Sequence, residues 1–272
     1  MSMFQRTASI TEHVAIAERT FRMRLQCPEI AGAIRPGQFV MVRIPGRSDP
    51  LLARPFALYD TSEDFREFDI VYLVVGKMTS QLALMTPGEM VEVWGPLGKP
   101  FLDVGTQERV TFVAGGIGQT PFLAYARELL GERGFGGDAP RKRTEKVELF
   151  YGIRTKSLAG GIGDFEKAGV EVHHASDDGS IGFKGYVTQL LENQGKRGPL
   201  VGCGPEPMLH KLRKLAVRWD VPCQVSLETP MACGVGACFS CVTKVCTGVG
   251  SWDYQRVCVE GPAFDAHQLA WE

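Results

Sequence analysis

The sequence predicts a multi-domain chain of β plus α/β class: an antiparallel β-barrel over residues 1–103, a parallel-sheet α/β domain over 104–222 and a small cysteine-bearing module over 223–272. Three observations carry this reading. Alternating stretches rich in Val and aromatics fill the first part of the chain. Near residue 109 the rhythm changes to strand, Gly-rich turn, helix. The remainder is loop-rich and holds cysteines at C-x4-C-x2-C spacing. A chain of 272 residues, 44% hydrophobic and 22% charged, is long enough for this division and has no disordered composition.

The barrel rests on QFVMVRI at 38–44, FDIVYLVVG at 68–76 and MVEVWG at 90–95, punctuated by Pro-Gly at 36–37 and 87–88. Arg54–Pro55–Phe56–Ala57 closes one strand, and Gly76, Thr79 and Ser80 mark a turn after another. An Arg fork suits a pyrophosphate bidentately, and Pro fixes the strand exit.

The α/β reading rests on four segments: RVTFVAGGIGQTPFLAYARELL at 109–130, VELFYGI at 147–153, VEVHHAS at 170–176 and PLVGCGPEPMLHKLRKLAV at 199–217. The first is a strand running into Gly115, Gly116 and Gly118 and then a helix, with Thr120 expected as N-cap and Pro121 as its first residue. Open N–H groups and the positive helix end then make an anion site suited to a pyrophosphate. The spacing is GGxGxxP, not GxGxxG, so a plain tight turn is the competing reading. A second turn, Gly202–Cys203–Gly204–Pro205, ends another strand and brings glycines and a thiol to the same sheet edge, where ligands of such folds bind. Cys203 is expected either against a nicotinamide ring or as filler behind the turn.

Cys233, Cys238 and Cys241 have the spacing of plant-type [2Fe–2S] sites, with a fourth thiolate further on at Cys246 or Cys258. Gly234 and Gly236 supply the positive φ and close backbone approach that a loop round a cluster needs. Structural zinc is the alternative, but zinc ribbons show two short C-x2-C knuckles and only Cys238 and Cys241 form one. Eight cysteines in a chain with no signal peptide argue against a disulfide scaffold and for a reducing, cytoplasmic setting. Cys27, Cys203, Cys223 and Cys246 read as buried free thiols.

A net charge of −1 gives no footprint for nucleic acid, and no apolar run suggests a membrane span. The basic stretch RKRTEK at 141–146 follows a Gly-rich segment and reads as a solvated loop. No HExxH spacing, Ser/His/Asp triad or carboxylate pair stands out, and the five histidines are expected to be structural or exposed.

Taken together, RPFA, the turn at 74–82, GGIGQTPF and GCGPEPM resemble the ferredoxin–NADP reductase superfamily, in which an Arg-Pro-x-Ser/Thr motif holds FAD on a barrel. Adding MACGVGACFSCVTKV, RVCVEGPAF and DDGSIGFKGYVT at 177–188, nearly the whole chain resembles the electron-transfer subunits of class B, NAD-dependent dihydroorotate dehydrogenases. The resemblance implies FAD held at Arg54 to Ala57, at Val71, Tyr72 and Leu73, and at Met78 and Thr79, with Tyr59 or Tyr72 packed against a flavin or adenine face. It implies a [2Fe–2S] cluster on Cys233, Cys238, Cys241 and Cys258, the RVC-x2-GP-x-F context favouring Cys258 over Cys246. It implies transfer of electrons from the FMN of a dihydroorotate-oxidising partner to NAD in pyrimidine (UMP) biosynthesis, in a heterotetramer of two of each subunit. Met231, Val235 and Phe239 are then either docking residues or a shield for the cluster.

Two departures stand out. Ala57 lacks the hydroxyl that the motif places near flavin N5, and CTGVGSWDYQ at 246–255 is longer than the family pattern. Arg154 and Lys156 leave NADP open as the nucleotide. The rival readings are the reductase subunit of a ferredoxin-dependent transhydrogenase or related flavin/iron–sulfur oxidoreductase, and a zinc-stabilised nucleotide-binding regulatory module.

Overall fold

A computed structural model describes residues 3–271. Seven strands build the first sheet: β1 (Phe4–Ala17), β2 (Thr20–Gln26), β3 (Phe39–Arg43), β4 (Arg54–Ala57), β5 (Asp60–Thr61), β6 (Glu67–Leu73) and β7 (Met90–Leu97). Their order is β4-β3-β7-β1-β2-β6-β5, all antiparallel. The link between the edge strands closes the curl. Leu58 N–H donates to Gln38 O at 3.0 Å and Tyr59 N–H to Asp69 O at 2.9 Å, so one dipeptide stitches both edges. Met23, Leu25, Val40, Val42, Ile70, Val91 and Val93 fill the interior. Helices α1 (Pro28–Ala31) and α2 (Lys77–Leu82) plug the connections. The long β1 was not singled out by pattern, because Arg6, Glu12 and His13 break its alternation; pairing with both β2 and β7 makes it a strand.

The second sheet holds β8 (Gln107–Gly115), β9 (Thr144–Ile153), β10 (Glu171–Ser176), β11 (Phe183–Lys184), β12 (Leu200–Cys203) and β13 (Cys223–Ser226), all parallel. Strand faces alternate as burial on both sides demands. Phe112 and Leu149 pack with Phe122 of α3 (Phe122–Leu129) and Phe165 of α4 (Ile162–Lys167). Val113 and Phe150 face Leu191 of α5 (Val187–Asn193) and Leu209 and Leu212 of α6 (Glu206–Trp219). The order β11-β10-β9-β8-β12-β13 reverses direction between β8 and β12, and a crevice opens at such a switch point. The Gly115–Gly118 and Gly202–Gly204 turns flank it.

The expected boundary at 222 moves. Cys223 and Val225 are buried and β13 pairs with β12, so residues 223–226 belong to the α/β sheet. The chain returns later as β16 (Ala263–Asp265), antiparallel to β13, after a hairpin of β14 (Val242–Gly248) and β15 (Ser251–Arg256). The cysteine module is therefore an excursion from one sheet edge, and its hairpin replaces part of the expected loop. Of the basic stretch only residues 141–143 are the solvated loop expected, with Arg143 paired to Asp103 at 2.5 Å; Thr144, Glu145 and Lys146 instead open β9, because that strand pairs with β8.

Side chains lock the two sheets together. Arg127 and Arg133 from the α/β domain clamp Asp60 of the barrel at 3.2 and 3.0 Å, and Tyr59 Oη donates to Asp164 at 2.9 Å. Burial holds the Asp60 carboxyl above its ordinary range and the two guanidinium groups oppose it.

Candidate cofactor sites

A cavity of roughly 560 Å³ lies where barrel, switch point and cysteine excursion meet. The barrel contributes Arg54, Pro55, Phe56, Ala57, Val71, Tyr72, Leu73, Gly76, Met78 and Thr79; the α/β domain adds Thr120, Pro121 and Cys203. Arg54 Nη1 donates to Leu52 O at 2.8 Å and Ala53 O at 3.0 Å, which holds the guanidinium at the cavity wall. Thr79 Oγ1 accepts from the N–H groups of Val75 and Gly76 at 3.0 and 3.1 Å and donates to Gly76 O, so its hydroxyl is spent shaping the turn. Ser80, one residue on, is exposed and does not line the cavity.

Of the two tyrosines, Tyr72 lines the cavity and Tyr59 does not. Tyr59 is buried at the domain junction on Asp164, so its expected stacking role is withdrawn. Tyr72 is held by a residue that sequence reasoning passed over. His13 Nδ1 lies 2.7 Å from Met85 O and must carry a proton to bond it, which leaves Nε2 to accept from Tyr72 Oη at 2.8 Å. Nothing in the sequence linked His13 to a tyrosine 59 positions away.

The first Gly-rich turn differs from expectation. Gly116–Gln119 form a 3-10 turn that runs into the helix, Thr120 already has helical φ and ψ, and Pro121 stands at the cap position with no side-chain bond. The i→i+3 bonding of this turn precedes Thr120, so the open N–H groups fall at Gly116 and Ile117 and Thr120 is not the N-cap. A Cβ on Gly118 would sit 2.3 Å from Cys203 O, one on Gly115 2.6 Å from Pro205 Cδ, and one on Gly202 2.5 Å from Leu212 Cδ2. Gly115, Gly118 and Gly204 let the two turns pack on each other, and Gly202 lets α6 close on β12. Gly116 alone of the first turn, at φ +57, has open space around it.

Cys203 is buried in the cavity wall, its thiol pushed well up by burial and by Glu228 and opposed by Ser226, so it is neutral. Ser226, Leu227, Glu228, Thr229, Pro230 and Met231 form the cavity's third wall, which sequence reading missed. Their position directly upstream of the cysteine motif was the available signal. The Glu228 carboxyl is raised by the protein packed around it, although it meets the cavity's own opening. Thr229 Oγ1 is buried without a partner. An orphaned hydroxyl, an Arg at the wall and an aromatic floor fit a flavin dinucleotide.

From Met231 the chain runs two residues to Cys233. Trp94 Nε1, on barrel strand β7, donates to Cys233 O at 3.2 Å. Gly234, at φ +73, lies where a Cβ would be 2.5 Å from Met41 Cγ; Gly236, at φ +82, is as close to Val259 Cγ2, at 2.6 Å. The loop therefore lies directly on the barrel. Val257 N–H donates to Cys241 O at 2.7 Å, extending the hairpin register and bringing Cys258 beside Cys241. Cys246 rides out along β14, and at about 3.3 Å per residue it stands about 13 Å from Val242. It is exposed opposite Trp252, not buried as expected. The extra length of CTGVGSWDYQ is taken up in the hairpin, away from the other thiols.

The four cysteines stand as two pairs. Cys233 and Cys238 form the outer pair, half-buried and exposed; Cys241 and Cys258 are each 2% exposed. The Cys238 thiol is pulled down to about 6 by the Ser240 hydroxyl and N–H and by Cys233, while burial and then Cys241 push Cys258 up to about 12. One zinc ion would need all four sulfurs about 3.8 Å apart, given Zn–S near 2.3 Å. Among the described residues the only three metal-type donors within 4.8 Å of one another are Glu148, Glu171 and His173, where Lys146 and Arg109 already answer the charge. Two sulfurs on each side suit two irons better than one zinc.

Comparison with known proteins agrees with this layout. Residues 7–101 match the oxidoreductase FAD-binding domain, and residues 228–270 match the iron–sulfur cluster binding domain of dihydroorotate dehydrogenase B. The chain is 36% identical over 260 residues to the dihydroorotate dehydrogenase B (NAD(+)) electron transfer subunit of Desulforamulus reducens, covering 94% of this chain and 95% of that one. With the subunit of the same name from Geobacillus kaustophilus it shares 39% over 258 residues, 93% and 94% of the two chains. Among solved structures, a chain of the NADH-dependent reduced ferredoxin–NADP oxidoreductase superposes with a TM-score of 0.81 at 28% identity, over 97% of this chain and 90% of that one. Phthalate dioxygenase reductase, at 20% identity and TM-score 0.62 over 90% and 87%, shares the fold. The likeness thus runs over nearly the full length of these relatives, and the chain belongs to the family of electron-transfer subunits of class B, NAD-dependent dihydroorotate dehydrogenases.

Proposed function

We propose that the chain carries electrons from the FMN of a dihydroorotate-oxidising partner subunit to NAD⁺, by way of a [2Fe–2S] cluster on Cys233, Cys238, Cys241 and Cys258 and FAD in the central cavity. The observation that carries this reading is the continuity of the two sites. Met231 lines the cavity, Cys233 lies two residues on, and Trp94 ties that cysteine to the flavin barrel. FAD, when bound, converts single electrons into a hydride for the nicotinamide.

The chain's own residues bind and orient. Arg54 is placed to pair a pyrophosphate, Tyr72 is oriented by His13, and Thr229 Oγ1 has an unmet bond to offer. Ala57 offers no hydroxyl, so in this reading neutral Cys203, Ser226 and the Glu228 carboxyl, which line the cavity beside the switch-point turns, are the polar groups that would face the nicotinamide. At the carboxyl edge of β9 and β10, Asp178 is held down to about 2 by Ser180, with its N–H on Arg154 O at 3.3 Å. A fixed negative charge there disfavours the 2′-phosphate of NADP, although Arg154 and Lys156 are exposed nearby.

The working form we propose is a cytoplasmic heterotetramer of two of each subunit. No helix among the described residues is long and apolar enough to cross a membrane. Reconstitution with an FMN-bearing, dihydroorotate-oxidising partner tests the reading: dihydroorotate-dependent NADH formation is expected. A pair that forms no NADH, or a chain that instead exchanges electrons between ferredoxin and NADP(H), would favour the transhydrogenase reading that the 28%-identical structure keeps open.

A further inference from the structure

We infer that Ser240 sets the reduction potential of the cluster through a hydroxyl bond to Cys238, an inference that rests on the [2Fe–2S] reading above. Ser240 Oγ lies 3.2 Å from Cys238 Sγ, 3.3 Å from Pro230 O, and accepts from Ala232 N–H at 3.3 Å. With a thiol, either atom of the Cys238 contact can donate. A sulfur bound to iron has no proton, so the bond then has one direction, from hydroxyl to sulfur. The Ala232 N–H occupies a lone pair on Oγ, which turns the Ser240 proton toward its two acceptors, Cys238 Sγ and Pro230 O.

The location of this bond gives it leverage. Adding an electron to the cluster adds negative charge to its sulfurs, and a donor aimed at a sulfur stabilises the reduced form more than the oxidised one. The outer pair has three such donors: Val235 N–H on Cys233 Sγ at 3.4 Å, and the Ser240 N–H and hydroxyl on Cys238. Two of them are backbone. The hydroxyl is the one a single-atom truncation removes. The outer pair also faces the surface, where electrons must enter from any partner, so a donor here acts on the accessible half of the cluster. Exposure of Ser240 to solvent limits the effect, because water competes for the same sulfur.

The test is a redox titration of the purified flavin- and cluster-loaded protein, followed by the electron-paramagnetic signal of the reduced cluster, for the parent, S240A, S240G and S240T. S240A is expected to disfavour cluster reduction by about three- to tenfold in the one-electron equilibrium, about 30 to 60 mV, while S240T stays near the parent and the flavin potential is unchanged. An S240A potential equal to the parent's overturns the inference, as does an S240T shift as large as that of S240A. If S240A and S240G both lose the cluster while S240T keeps it, the hydroxyl serves loop structure through Ala232 and Pro230, and the inference also falls. A parent protein with no such signal would instead defeat the cluster reading itself, so the two failures are distinct.

Discussion

The indole N–H of Trp94 donates to the carbonyl of Cys233 at 3.2 Å, joining the flavin barrel to the first cysteine of the cluster loop. A bond of this kind contributes about 0.5 to 1.5 kcal/mol net. Trp94→Phe keeps the ring and removes the donor. The cluster is expected to bleach about three- to tenfold faster in a chelator, with the flavin spectrum unchanged; equal rates would show that the loop holds its place without this bond.

Gly234 has left-handed φ and no room for a Cβ beside Met41. Gly234→Ala meets both a backbone cost of about 1 to 2 kcal/mol and a clash with barrel core. Iron per chain is expected to fall by more than half while FAD stays bound. Full iron content in this variant would mean that the loop sits further from the barrel than the packing implies.

Cys246 and Cys258 separate cleanly by serine substitution. Cys258 lies buried beside Cys241, and Cys246 is exposed on the hairpin. Cys258→Ser is expected to lose or sharply alter the cluster's visible absorption, and Cys246→Ser to leave it as in the parent. The opposite pattern would exchange their assignments.

Arg54 bears on flavin affinity alone. Charge-assisted bonds of an Arg fork contribute about 1.5 to 3 kcal/mol, so Arg54→Ala should weaken FAD binding about ten- to a hundredfold, with Arg54→Lys in between. Flavin content after dialysis, measured beside iron content, checks this. Loss of both cofactors together would indicate unfolding of the barrel and not loss of a pyrophosphate contact.

Much of this molecule was legible because its signals are local. Cysteine spacing, Pro-Gly turns, and strands that run into glycines arise from short-range sterics and ligand geometry, so they can be read from neighbouring residues. Arg54 to Ala57 and Cys233 to Cys241 are of this kind. Thr120 was misplaced by a similar local rule, because a 3-10 turn from Gly116 already precedes the position where a cap would stand.

The sequence by itself determined the division into a β part, an α/β part and a cysteine module, and the residue types proposed to hold each cofactor. Only the tertiary structure decided where those parts meet. β13 joins the α/β sheet because its buried Cys223 and Val225 find a partner in β12. His13 reaches Tyr72 only because β2 lies between their strands. The Ser226–Met231 wall exists only because β13, one strand beyond the switch point, ends at the same carboxyl edge of the sheet. Each depends on contacts between residues far apart in the chain, which composition and spacing do not encode one segment at a time.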